Sequence, residues 1–100
     1  MVEYAIEITP TALRDIDDAF DYIAFHLENP QAAYDLIDAI YLGIGDLSSM
    51  PERFPAWKRE PIKSKGVRFL VVKNFNVFYV VNKKRHRVNV IRVIYNRRDV

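Results

Sequence analysis

The sequence predicts an α+β domain: an N-terminal strand and an antiparallel helix hairpin packed on an antiparallel sheet, in the order β-α-α-β-β-β. Three observations carry that prediction. Thr9-Pro10 and Asn29-Pro30 each precede a run whose apolar residues recur at spacings of three and four. The last third of the chain is instead dense in Val, Ile, Phe and Tyr and is cut by two short polar turns. One hundred residues, half of them hydrophobic, suffice for a single domain (1–100) with one core.

Tyr4, Ile6 and Ile8 alternate with Ala5 and Glu7, which predicts a short first strand. Thr9 then supplies an N-cap hydroxyl and Pro10 the fixed φ of a first helical position. Leu13, Ile16, Phe20, Ile23 and Leu27 follow as one apolar stripe on a helix of about five turns. Asn29-Pro30 repeats the start signal. The second helix presents Ala33, Leu36, Ile37, Ile40, Ile44 and Leu47 inward. Gly43 and Gly45 weaken it, by roughly 1 kcal/mol each relative to alanine, and a close approach to the first helix would account for one of them. The short link makes the two helices antiparallel.

Residues 51–65 hold three prolines and form an irregular connection. Strands are expected over roughly 66–73, 75–82 and 87–95, joined as a meander through Lys73-Asn74 and the basic turn Lys83–His86. These strands are apolar on both parities, at Val71-Val72, at Val77–Val81 and at Val90-Ile91. A sheet covered on one face alternates more strictly. Either the proline-rich connection or a partner therefore covers the second face, or the sheet is simply small, twisted and mixed in exposure.

Charge divides the chain. Residues 1–50 hold Arg14 against ten acids and net −9; residues 51–100 hold fourteen Lys or Arg against three acids and net +11. The overall +2 conceals a basic half suited to an anionic partner. Without cysteine there is neither a disulfide framework nor a thiolate site. His26 and His86 lie far apart with no acidic cluster at ligand spacing, so no metal and no cofactor is expected. The first ten residues lack a basic segment followed by a long apolar run, so no signal peptide, membrane span or membrane partner is expected and the chain reads as cytoplasmic.

Candidate chemistry concentrates in the basic half. Arg68 falls in the first strand of the meander; Arg92, Tyr95, Arg97 and Arg98 fall in or just after the last; Lys58, Arg59, Lys63 and Lys65 accompany Trp57 and Phe54 in the connection. Arginines interleaved with aromatics suit phosphate contact and base stacking. The plainer assignments are a solvated hairpin tip for Lys83–Arg87, a core position for Tyr79, and a soluble helix face for Asp15, Asp17, Asp18 and Asp21.

In this arrangement the chain resembles the ParE/RelE superfamily of type II toxin–antitoxin toxins. The carriers are ITPTALRDIDDAFDYI, ENPQAAYDLIDAI, MPERFP, KGVRFLVVKNFNVFYVV and VNVIRVIYNRRD, which together span nearly the whole chain. The resemblance implies a helix hairpin on an antiparallel sheet. It also implies a growth-inhibiting toxin neutralised by a cognate antitoxin that is acidic, partly disordered alone, and able to carry the complex to operator DNA. Two targets follow from it. RelE-like members cut mRNA on the ribosome without a metal, which would assign Arg68, Tyr95 and Arg97 to catalysis. ParE-like members poison DNA gyrase, which would make Arg68, Arg92, Tyr95, Arg97 and Arg98 a target-binding surface and the protein no enzyme. RelE-like nucleases place an arginine three residues before the tyrosine of the middle strand; here that tyrosine is Tyr79 and the position holds Asn76, which cannot neutralise a phosphorane. The gyrase reading is therefore preferred. A nucleic-acid-binding module outside the toxins is the third reading.

Overall fold

A computed structural model of the chain describes residues 2–59 and 65–96. The chain runs β1 (Ala5–Ile8), α1 (Pro10–Asp21), a π-helical turn (Tyr22–His26), α2 (Pro30–Gly45), two 3-10 turns (Asp46–Ser48 and Pro51–Arg53), β2 (Arg68–Val72), β3 (Phe75–Asn82) and β4 (Arg87–Tyr95). The expected order of elements holds, with the helix hairpin laid on one four-stranded sheet of order β1-β4-β3-β2. The sheet is mixed: β2, β3 and β4 form the antiparallel meander, but β1 pairs with β4 in parallel, from Ala5 opposite Arg87 to Ile8 opposite Val90. No local pattern in β1 distinguishes the two orientations, because its alternation is the same in either.

Both helix starts are capped as their sequences require. The Thr9 hydroxyl accepts from the Ala12 N–H at 3.1 Å, the Asn29 side-chain oxygen accepts from the Ala32 N–H at 3.1 Å, and a proline takes the first helical position each time. The buried stripe of α1 differs from the expected one. Ala12, Ile16 and Ala19 face the core and Ala24 follows in the π-helical turn, while Leu13 and Leu27 lie exposed. Small residues win because α1 lies close over β4. The π-helical turn then adds a residue to the last turn and carries Leu27 off the stripe. The inner face of α2 is as expected, with Ala33, Leu36, Ile40 and Ile44 buried and Leu47 continuing it.

Gly43 marks a close approach, but to the sheet rather than to α1: a Cβ there would stand 2.9 Å from Val72 Cγ2 and 3.2 Å from Leu70 Cδ2. Gly45 has nothing within 4 Å of the same position. The two glycines should therefore respond oppositely to alanine. Gly45→Ala is expected to stabilise by up to about 1 kcal/mol through helix propensity. In Gly43→Ala, overpacking of about 1–3 kcal/mol outweighs that gain and the net effect is a loss. Chemical denaturation of the two variants side by side checks both signs.

The doubly apolar strands are explained by two covered faces. Tyr79, Val77, Val88, Val90 and Val93 pack under the helices with Ile16, Ile40 and Leu47. On the other face Trp57, from the proline-rich connection, meets Phe69 at 5.2 Å and Phe78 at 4.9 Å, both edge to face. The connection also extends the sheet edge: the Trp57 N–H donates to Val67 O at 2.8 Å and the Phe69 N–H to Pro55 O at 3.1 Å. Among the described residues no helix is long and apolar enough to cross a membrane, and no group of His, Asp or Glu is placed to hold a metal.

Candidate functional site

A groove lies where the hairpin diverges from the far end of the sheet. β1 ends opposite Val90, so beyond it the outer edge of β4, from Ile91 to Tyr95, has no strand beside it, while the inner edge stays paired with β3. Ile91 is an extra residue: Tyr79 faces Val90 and Phe78 faces Arg92, leaving Ile91 without an opposite number. This bulge keeps Val93 and Tyr95 on the helix face although they stand an odd number of residues after Val90. Thr9 closes the backbone around it, donating its N–H to Val90 O at 3.0 Å and its hydroxyl to Ile91 O at 3.2 Å.

Beyond Thr9 the strand edge is held by one carboxylate. Asp15, on the flank of α1, accepts from the Val93 N–H at 2.9 Å, from Arg92 Nε at 2.8 Å and from Arg92 Nη2 at 3.1 Å. Burial works against its charge. The two Arg92 hydrogen bonds, the Val93 N–H and the neighbouring arginine charges outweigh that and hold the carboxyl below its ordinary value. The same contact raises Arg92 above the usual arginine value. Arg92 stands opposite Phe78, on the face away from the helices, and curls round the strand edge to make this pair.

Between Asp15 and the β2–β3 turn opens a groove of about 990 Å³. Ala19, Tyr22 and Ile23 form one wall, Leu36 the back, and Phe75 with Tyr95 the other wall. Tyr95 stands edge to face with Phe75 at 5.6 Å and is half exposed. Lys73 and Arg92 place positive charge on the rim.

The sequence-derived candidates do not all meet here. Tyr95 and Arg92 do. Arg68 lies on β2 opposite Tyr79, whereas Tyr95 lies opposite Phe75. Four residues of strand, about 13 Å, separate the two positions along the sheet. Arg68 is also engaged: its Nη1 donates to Phe54 O at 2.7 Å and its Nη2 lies 3.9 Å from Glu52. Arg97, Arg98 and Lys63 lie outside the described residues. Of the other basic residues, Arg59 stacks toward the Trp57 ring at 5.8 Å, Lys83 reaches Glu52 at 3.5 Å and Arg87 pairs with Glu7. Asn76 lies on the face away from the helices, between Val71 and Ile94, and its buried side-chain oxygen has no hydrogen-bond partner among the described residues. Tyr79 is fully buried and donates its hydroxyl to Pro51 O at 2.6 Å, the core role its apolar strand suggested.

Asp15 is the residue that sequence reasoning misses. It stands in a run of four acids on one helix, and its neighbours Asp17, Asp18 and Asp21 are solvent-exposed. A signal exists only in three dimensions: of these four, Asp15 alone lies on the flank that meets the strand edge.

The family described as the ParE toxin of type II toxin–antitoxin system, parDE, matches residues 6–100. No curated protein matches the chain. Among solved structures, the chain is similar to one from the chromosomal ParDE toxin–antitoxin system of P. aeruginosa. The TM-score is 0.76 at 19% identity, covering 95% of this chain and 98% of that one. It is also similar to a chain of the RelBE2 toxin–antitoxin complex of Mycobacterium tuberculosis, with a TM-score of 0.64 at 24% identity, covering 99% and 97%. At these identities the two structures speak for the shared fold.

Proposed function

This chain belongs to the ParE toxin family of type II toxin–antitoxin systems, and on that premise we propose that it inhibits growth in the cytoplasm by binding DNA gyrase, and is neutralised by a cognate antitoxin. The antitoxin is acidic where it crosses the basic sheet, partly disordered alone, and carries the complex to operator DNA. The target contacts are drawn from Arg92 and Tyr95 at the C-terminal end of the sheet and from Arg97 and Arg98, which follow them in sequence, with Arg68 on the edge strand β2.

One observation favours binding over RNA cleavage. A metal-independent nuclease needs a cation and a proton-transfer group converging on one phosphate. Here Arg68 and Tyr95 stand about 13 Å apart along the strands, and Arg68 and Arg92 are already engaged by Phe54 O and Asp15. Asn76 stands where the resemblance to RelE-like nucleases would place an arginine.

The test is induction of the chain without its antitoxin, read three ways: supercoiling by purified gyrase, induction of the DNA-damage response, and mapping of mRNA 5′ ends on ribosomes. Inhibited supercoiling with damage signalling and no codon-linked cleavage is the expected result. Codon-linked cleavage with normal supercoiling overturns the gyrase reading in favour of the nuclease. A Tyr95→Phe variant sharpens it. The ring, and hence the apolar contact with Phe75, survives, so growth inhibition is expected to stay within about twofold of wild type. A phenol acting in proton transfer would lose about a hundredfold or more.

A further inference from the structure

The outer surface of the helix hairpin carries a second, oppositely charged feature that the toxin reading does not use. Phe20 of α1 meets Tyr34 of α2 edge to face at 5.0 Å. Because the helices are antiparallel, that contact places Leu13, seven residues back, level with Tyr41, seven residues on. The result is an apolar seam along the outer groove between the two helices; Leu42, one residue on from Tyr41 and so about 100° further round α2, adds an exposed apolar side chain on the outer flank of that helix. These side chains are open to solvent: Tyr34 is 57% and Leu42 is 71% exposed, with Leu13 and Tyr41 also exposed. Acids flank the seam on both sides, Asp17 and Asp21 from α1 and Asp35 and Asp38 from α2, all exposed. Between residues 10 and 46 the only Lys or Arg is Arg14.

Solubility explains the acids but not exposed aromatic and aliphatic side chains lined up between them. The charge selects the occupant. Nucleic acid and anionic membrane are repelled by the flanking carboxylates, and a second copy using the same face would set acid against acid. The shape selects further, since the groove between two packed helices accepts the ridge of a third. We propose that the outer groove of the α1–α2 hairpin is a docking surface for a cationic amphipathic helix of a partner protein. Leu13, Tyr34, Tyr41 and Leu42 take its apolar side, and the aspartates pair with lysines or arginines along its flanks.

Titration of the full chain with a labelled helical peptide tests this. The peptide has about 16 residues, the length of α2, with leucines at helical spacing and lysines and arginines elsewhere; a scrambled peptide of the same composition is the control. The amphipathic peptide is expected to bind at least about tenfold more tightly than the scrambled one. Tyr34→Ser combined with Leu42→Ser is expected to abolish that preference, and Leu42→Lys alone, at the more exposed position, to reduce it as well. Asp17→Asn with Asp38→Asn is expected to weaken both peptides and flatten the salt dependence. Equal binding of the two peptides, or a preference that survives the Tyr34 and Leu42 substitutions, overturns the proposal by reducing the face to a diffuse anionic surface. Self-association of the wild type that the double serine variant abolishes also overturns it, by assigning the seam to a second copy.

Discussion

Tyr79→Phe is expected to destabilise the protein by about 1–3 kcal/mol, although it removes a single atom from a core that otherwise stays filled. The ring stays where it is, packed beneath the helices. The cost falls on Pro51, whose carbonyl oxygen accepts the phenol hydroxyl at 2.6 Å in a buried setting and would be left without a donor. Met50, just before it, has a left-handed backbone at φ +48°, so the chain enters this contact through a conformation that L-residues avoid. The hydrogen bond ties the proline-rich connection to the centre of the sheet. Burial pushes the phenol up to about 12, against the pull of the Arg68 and Arg53 charges. A neutral acid whose pKa is higher in the folded state contributes stability that is complete below its unfolded value near 10 and disappears as pH rises through 12. A shift of that size corresponds to about 3 kcal/mol. Unfolding titrations between pH 9 and 12 should therefore show a steep decline in wild type that is shallower in the phenylalanine variant, and the tyrosinate absorbance step near pH 12 should vanish with it.

The second large effect is at Asp15. Asp15→Ala removes the acceptor for the Val93 N–H and both Arg92 hydrogen bonds at once, and hydrogen bonds to charged groups contribute about 1.5–3 kcal/mol. Because Arg92 is half exposed and recovers water, a net loss of about 2 kcal/mol is expected from the set. Asp15→Asn keeps an oxygen for Val93 but not the charge and should lose about half as much. Its lowered pKa means that the contribution is present above the ordinary carboxylate value near 4 and fades as pH falls below it. Denaturant midpoints measured from pH 6 down to pH 2.5 should drop for wild type over that window and drop less for Asp15→Asn. If the two acid limbs run parallel, Asp15 does not carry the linkage. The same variants bear on function, because freeing Arg92 from Asp15 makes its guanidinium available to an anionic target.

How far the molecule could be read from its residues depends on the kind of interaction each residue makes. Thr9-Pro10 and Asn29-Pro30 act within four residues of themselves, so both helix starts were legible. The strands of the meander were legible because their residues are β-branched and aromatic and their turns are short. Tests of periodicity weigh bulk, and they selected Leu13 and Leu27 where the packing surface required Ala12, Ala19 and Ala24. The direction of β1 depends on which edge of the sheet it meets, and nothing in four alternating residues encodes that. Trp57 belongs to no periodic run, and its place over the sheet's second face shows only as a contact with Phe69 and Phe78. Within the site, Tyr95 and Arg92 were found by residue type and position. Asp15 was hidden because an acid on a helix surface looks the same whether it faces water or a strand edge.

Ile91 has a consequence for how length, as opposed to identity, governs the groove. Strict alternation from Val88 and Val90 would carry Arg92 and Ile94 to the helix side and expel Val93 and Tyr95. The extra residue cancels one step of that count, so the strand resumes with the other set turned inward. A chain lacking Ile91 would pair Val90 and Arg92 as ordinary neighbours and present the same side chains to the same walls. A one-residue gap at any later point of β4 would instead exchange a phenol for whatever stands beside it. The tail of this strand therefore tolerates a change of length at one address and is rewritten by the same change at the next.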